Sequence, residues 1–351
     1  MITPISPVPD LQAPKAPKKE FINYIHNFRG LAIFFVVACH LIIQWPEHSF
    51  MNVFMQVLWG NGTVLFVFIA GYLFQHLSKN FGYKGYLVKK LQYVILPYLI
   101  VSIPIIIYRL KSNDYSDYIL GPHPDFASWP VWERLCYFLL RGAHMKPLWF
   151  VPMISLFYLS APVFIYIDRH PKLYYLLIVF CTISVFVVRE PLSDIPRMFV
   201  HFFSVYVFGM FMSHYKQRYL EFAKKYYILI SILTLLAFAA DLVFFEQLNN
   251  SLNYLHKMLF CCFFLYWFWR LDRYVPAFLS LLAELSFGLF FIHYYTLLAI
   301  KAVYEKKAGH PIPGNFVSWA IDLLLVLIGS ILIIKFIKKI FPRYSRYLIG
   351  C

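Results

Sequence analysis

HNFRGLAIFFVVACH, residues 26–40, is an apolar run that holds two ionisable side chains, Arg29 and His40. At about 100° and about 1.5 Å per residue, the step of eleven residues from one to the other makes about three helical turns. Both side chains therefore fall on one face, roughly 16 Å apart along the axis. A charge at mid-depth in a bilayer costs about 2.5–3.5 kcal/mol, so such a pair marks a functional site by default. Spacing alone leaves two readings open. Arg29 could anchor the helix at the membrane edge with His40 a packing residue, or Arg29 could hold an anion while His40 accepts a proton.

The rest of the chain fits that helix into a bilayer. Of 351 residues, 61% are apolar and 14% charged, with a mean hydropathy of +0.63, against about 45–50% and about 25% in soluble domains. Ten runs have the length and apolarity of membrane helices: 27–45, 58–77, 91–110, 148–167, 172–188, 198–214, 226–245, 254–270, 281–300 and 316–340. The expected fold is an all-α polytopic membrane protein, one bundle of about ten helices. Lys and Arg, counted on alternate sides, favour the side of the N-terminus by 20 to 10, with Lys257 counted on the other side. This bias predicts that both termini are cytoplasmic and that loop 111–147 faces outward. Within that loop, 129–141 is aromatic-rich and could form an amphipathic surface helix. Residues 1–20, with five prolines and three lysines, read as a disordered cytoplasmic tail, 21–345 as the membrane domain and 346–351 as a C-terminal tail. The net charge of +15 is spread between the apolar spans, which argues against a nucleic-acid partner. Six cysteines without CxxC spacing imply neither a disulfide framework nor a metal site.

Several segments, in order, resemble the membrane acyltransferase 3 family. Arg29 and His40, with ten residues between them, are similar to the arginine and histidine of that family's opening helix. NGTVLFVFIAGYLF (61–74), VKKLQYVILPYL (88–99), PLWFVPMISLFYLSAP (147–162) and LSFGLFFIHYY (285–295) resemble later helices, so the likeness runs through nearly all of the chain from residue 21. His26 stands where many members have an aspartate, and Gln92 or Tyr93 occupies a position that is basic in the family.

The resemblance implies transfer of an acyl group, usually acetyl from acetyl-CoA, to a hydroxyl of a cell-surface or lipid-linked carbohydrate, in the cell membrane. Acetyl-CoA would then be a co-substrate, with no permanently bound cofactor. Arg29, Lys89 and Lys90 could hold the polyanionic donor at the cytoplasmic face. His40 would meet the thioester, either as base toward the sugar hydroxyl or as an acyl-histidine relay. His293, Asp241 and Asp322 belong to the same half of the bilayer as His40, where a carboxylate could orient the imidazole. His144, Lys146 and Trp149 stand at the outer mouth and could bind the acceptor. Intramembrane charges also suit a transporter or flippase for a lipid-linked sugar, and a scaffold without catalysis would leave Arg29 and His40 freely replaceable.

Overall fold

The computed structural model describes residues 22–42, 45–46, 49–113, 125–187, 189 and 192–351, so the expected 1–20 tail lies outside the described residues. The helices are α1 (Asn23–His40), α2 (Phe50–Trp59), α3 (Thr63–Leu77), α4 (Tyr83–Lys90), α5 (Leu96–Ser112), α6 (Val131–Arg141), α7 (Phe150–Leu159) and α8 (Ala161–Arg169). They continue as α9 (Leu177–Phe186), α10 (Ile195–His214), α11 (Lys216–Val243), α12 (Phe245–Arg270), α13 (Ala277–Glu284), α14 (Ser286–Ala308), α15 (Phe316–Ile340) and α16 (Ser345–Ile349). No strand occurs among the described residues.

The ten apolar runs fall largely on one helix or on two consecutive ones, but among the described residues six spans are long and apolar enough to cross a membrane. They are Phe50–Asn80, Tyr83–Ser112, Ile195–His214, Lys216–Val243, Ser286–Ala308 and Phe316–Ile340. Joining α7 to α8 across their 54° bend makes a seventh. The shortfall from ten has a physical origin. Helices α1 and α12 turn polar residues inward, among them Asn27, His40, Asn253, His256 and Lys257, and these lower the hydropathy of the helices that pack at the centre. Pro171–Phe186 is apolar but short.

Helix α1 packs against α2, α3, α12, α13, α14 and α15. On one side Phe28 meets the rings of Phe68, Phe264 and Phe268 at 5.7–6.1 Å. Toward its far end Trp319 of α15 donates to the Ala38 carbonyl at 3.2 Å. Helices α3 and α10 cross with their backbones touching. A Cβ on Gly71 would collide with the Tyr206 carbonyl, and one on Gly209 with the Phe68 carbonyl. Two glycines facing opposite backbones in this way give the close approach that holds helices together where lipid supplies no hydrophobic drive.

Two places differ from the expectation. Residues 346–351 are not a loose tail: α16 packs on α5, α14 and α15, Ile349 is buried, and Gly350, with φ +81°, fits against Phe287. Lys257, counted from sequence in an outer segment, is fully buried within α12. It donates to the carbonyls of Val57 (2.9 Å) and Leu58 (2.6 Å) near the end of α2, where the helix dipole favours a cation. The 129–141 stretch does form α6, whose Phe138 is buried with Ile106, Phe126 and Ala143 in a small separate core.

Gly209→Leu is expected to cost at least about 1–3 kcal/mol by overpacking the α3–α10 crossing, read as a lower thermal midpoint of the purified chain in detergent. Gly82→Ala, where a Cβ meets nothing within 4 Å, serves as the neutral control. Equal midpoints for the two variants would contradict the crossing.

Candidate active site

The α1 face is built by packing on both of its neighbours. At Gly30 an added Cβ would strike the Leu279 carbonyl, so the absence of a side chain lets α13 approach. That approach places the Arg29 guanidinium at the end of α13, where Nη2 donates to the Ala283 carbonyl at 2.9 Å and lies 3.4 Å from His26 Nδ1. At the other end of α1, His40 Nδ1 is 2.6 Å from the Val36 carbonyl. A carbonyl can only accept, so Nδ1 carries the proton and the neutral ring keeps its lone pair on Nε2. His293 of α14 stands beside it, ring centroids 5.2 Å apart, with its own Nδ1 donating to the Leu289 carbonyl at 2.7 Å. His293 Nε2 is buried and has no hydrogen-bond partner.

Arg29 and His40 line the same cavity of about 1330 Å³, larger than the roughly 300–1,000 Å³ typical of small-molecule sites. Around the Arg29 part of the chain it is lined by Lys89, Lys90, Tyr86, Tyr93 and Arg346. Lys90 lies over the rings of Tyr158 (4.6 Å) and Tyr86 (5.2 Å), and Arg346 stacks on Tyr93 at 3.9 Å. Between α4 and α5 the backbone widens into a π turn at Leu91–Ile95. Pro97 lacks the N–H that would bond back to the Tyr93 carbonyl, which accounts for the local change of register. The turn directs both Tyr93 and Val94 to the cavity wall.

Near His40 the wall holds Lys146, Trp149, Asn61, Arg189 and His201. The turn Gly60–Asn61–Gly62 joins α2 to α3, with Asn61 in the left-handed region at φ 54° and Gly62 pressed against Phe35. Asn61 Oδ1 accepts from Arg189 Nη1 at 3.0 Å. Trp149 is buried and stacked on Phe202 at 6.1 Å, away from any belt at the lipid surface.

The structure thus brings together Arg29, His40, Lys89, Lys90, Lys146 and Trp149 around one cavity, with His293 against His40. Three other residues singled out from sequence are elsewhere. His144 does not reach the mouth: it is fully buried between α5 and α6, Nδ1 donating to the Phe138 carbonyl at 3.0 Å and Nε2 2.8 Å from the Ser102 hydroxyl. Burial pushes its pKa down to about 3, so it is a neutral packing residue. Asp241 is fully buried against α12, with Oδ2 2.7 Å from His256 Nδ1 and 3.0 Å from Asn253 Nδ2, and it does not orient His40. Asp322 lies on a separate small recess of about 10 Å³ with Trp45, Lys301 and Trp319. Arg189, His201 and Arg346 line the main cavity without having been singled out. Among the described residues no three His, Cys, Asp or Glu side chains converge to hold a metal ion.

The helical bundle thus holds a cavity whose charged lining is cationic among the described residues and which reaches from Arg29 to the imidazole of His40. The profile of the acyltransferase-3 family, described as an acyltransferase domain, matches residues 22–335, and the chain belongs to that family. It is accordingly a multi-pass membrane protein with acyltransferase activity. Neither a curated protein nor a solved structure matches the chain.

Asp241→Leu is expected to lower the thermal midpoint, because it leaves the buried His256 and Asn253 without the carboxylate they meet, a loss on the order of 1–3 kcal/mol. The surviving folded fraction should keep its turnover. A variant with an unchanged midpoint and lost turnover would instead give Asp241 a role in the chemistry.

Proposed function

We propose that the protein moves an acetyl group from cytoplasmic acetyl-CoA to a hydroxyl of a cell-surface or lipid-linked carbohydrate. One observation carries this reading. His40 is fixed by Val36 as the tautomer with its lone pair on Nε2, in a cavity it shares with Arg29 one α1 face away. The chain is placed in the cell membrane with about ten crossings and both termini cytoplasmic, an orientation supported by the Lys and Arg bias. Arg29, Lys89 and Lys90, joined by Arg346, gather positive charge where a polyanionic nucleotide would enter. The volume of the cavity leaves room for its thiol arm to extend toward His40.

The chemistry needs a proton removed from a hydroxyl that is a poor nucleophile at neutral pH. His40 Nε2 takes that proton as the sugar oxygen attacks the thioester carbonyl, and the C–S bond breaks as the tetrahedral intermediate collapses. The imidazolium then returns the proton to the departing thiolate. The Val36 carbonyl, accepting at Nδ1–H, stabilises the imidazolium that forms between these steps. The same lone pair would also serve an acyl-histidine relay, and Lys146 and Trp149, which line the same cavity, would meet the acceptor.

His40→Ala is expected to reduce transfer by about 10²–10⁴-fold with the folded protein retained, measured as acetyl content of surface glycans and as turnover of the purified enzyme. Undiminished transfer would remove His40 as the base. Arg29→Ala is expected to raise the KM for acetyl-CoA by about tenfold or more, the loss of a charge-assisted contact. An unaltered KM would remove Arg29 from donor binding.

A further inference from the structure

Arg189 is a cavity-lining cation whose one described partner is an uncharged side chain. It follows α9 in a non-helical segment and lines the cavity on the side of His40, half-buried. Its one described partner is neutral: Asn61 Oδ1 accepts from Nη1 at 3.0 Å, and no described carboxylate pairs with it. The partner is itself built in, since Asn61 takes a left-handed conformation between two glycines, and a Cβ on either glycine would collide with α2 or with Phe35. That bond engages one N–H and leaves the others of the planar fork for a second acceptor.

The surroundings add two facts. Among the described residues no Asp or Glu lines the cavity, whereas Lys146 and Arg189 line it near His40 and four further cations line it toward Arg29. His201, 1% exposed, also lines this wall, and its Nδ1 donates to the Val187 carbonyl at 2.8 Å. Its Nε2 is therefore a buried acceptor, and no partner meets it. A half-buried guanidinium without a carboxylate gains from an anionic partner, and a buried acceptor is costly without a donor. A sugar that carries an anionic oxygen group and free hydroxyls satisfies both at once.

We infer that the acceptor is an anionic glycan, held through a carboxylate or phosphate by the Asn61-anchored guanidinium of Arg189, with a hydroxyl donating to His201 Nε2. Arg189 is thus a specificity-determining residue for the acceptor half of the site, and the donor half works without it. The inference rests on the acetyl transfer proposed above. Arginine suits the task because its fork matches the geometry of carboxylate and phosphate oxygens, which an ammonium does not.

The test is mass spectrometry of surface glycans from cells with and without the gene, locating each gene-dependent acetyl group. The expected product bears acetyl on the sugar that carries the anionic group or on one bonded to it. Carboxyl reduction and hydrofluoric acid cleavage then tell a uronate from a phosphodiester. Acetyl found only on glycans without acidic groups overturns the inference and leaves the acetyl-transfer reading intact. Absence of any gene-dependent acetyl overturns both. With the identified glycan as acceptor, Arg189→Gln in the full chain is expected to raise the acceptor KM by about tenfold or more while the acetyl-CoA KM stays within about twofold. Arg189→Lys, which keeps the charge and loses the fork, should fall between them. Equal acceptor KM values for wild type and Arg189→Gln would also overturn it.

Discussion

Charge cannot stay in lipid, and this protein keeps six cationic side chains along a cavity inside a helical bundle. That constraint shapes the rest. The helix that carries Arg29 and His40 must pack at the centre, with its polar face on the cavity and its apolar face against Phe68, Phe264 and Phe268. Close helix crossings at Gly30, Gly71 and Gly209 enclose the space that this arrangement needs. The outer helices can then be apolar on nearly every side, as α11 and α15 are. The same constraint explains why α1 and α12, which carry inward polar residues, are less apolar than α11 and α15.

The part of the site that could be read from sequence is the part set by one helix. Helical period places Arg29 and His40 on a common face whatever surrounds them, and Lys89, Lys90, Lys146 and Trp149 follow from their positions beside apolar runs. Depth alone, however, does not give a face. Asp241, Asp322 and His144 lie at plausible depths, yet α11 points Asp241 at His256, α15 turns Asp322 to a separate recess, and the bend after α6 folds His144 into the core. Arg189, His201 and Arg346 reach the cavity through tertiary packing of a loop, the start of α10 and the C-terminal helix. No local period connects them to His40. Lys257 counts by sequence position with the charges of the outer side, and it is instead a buried cap for the end of α2.

The two ends of the cavity differ in how they hold charge. Near Arg29 the cations rest on aromatic rings, Lys90 over Tyr86 and Tyr158 and Arg346 on Tyr93, which leaves their outer faces for a flexible polyanion. Near His40 the guanidinium is held by a directed hydrogen bond from a strained turn, an arrangement suited to one defined orientation. Loose capture at one end and fixed geometry at the other match the different demands on a donor that must arrive and an acceptor hydroxyl that must be aligned.

The central claim is that one continuous cavity carries a bound acyl donor from the cations near Arg29 to the imidazole of His40. An experimental structure of the full chain with a non-hydrolysable acetyl-CoA analogue tests it directly. The account predicts density for the nucleotide phosphates against Arg29, Lys89, Lys90 and Arg346, with the thioester mimic within hydrogen-bonding or attack distance of His40 Nε2. Density for the analogue outside this cavity, or with its acyl end remote from His40, would contradict it.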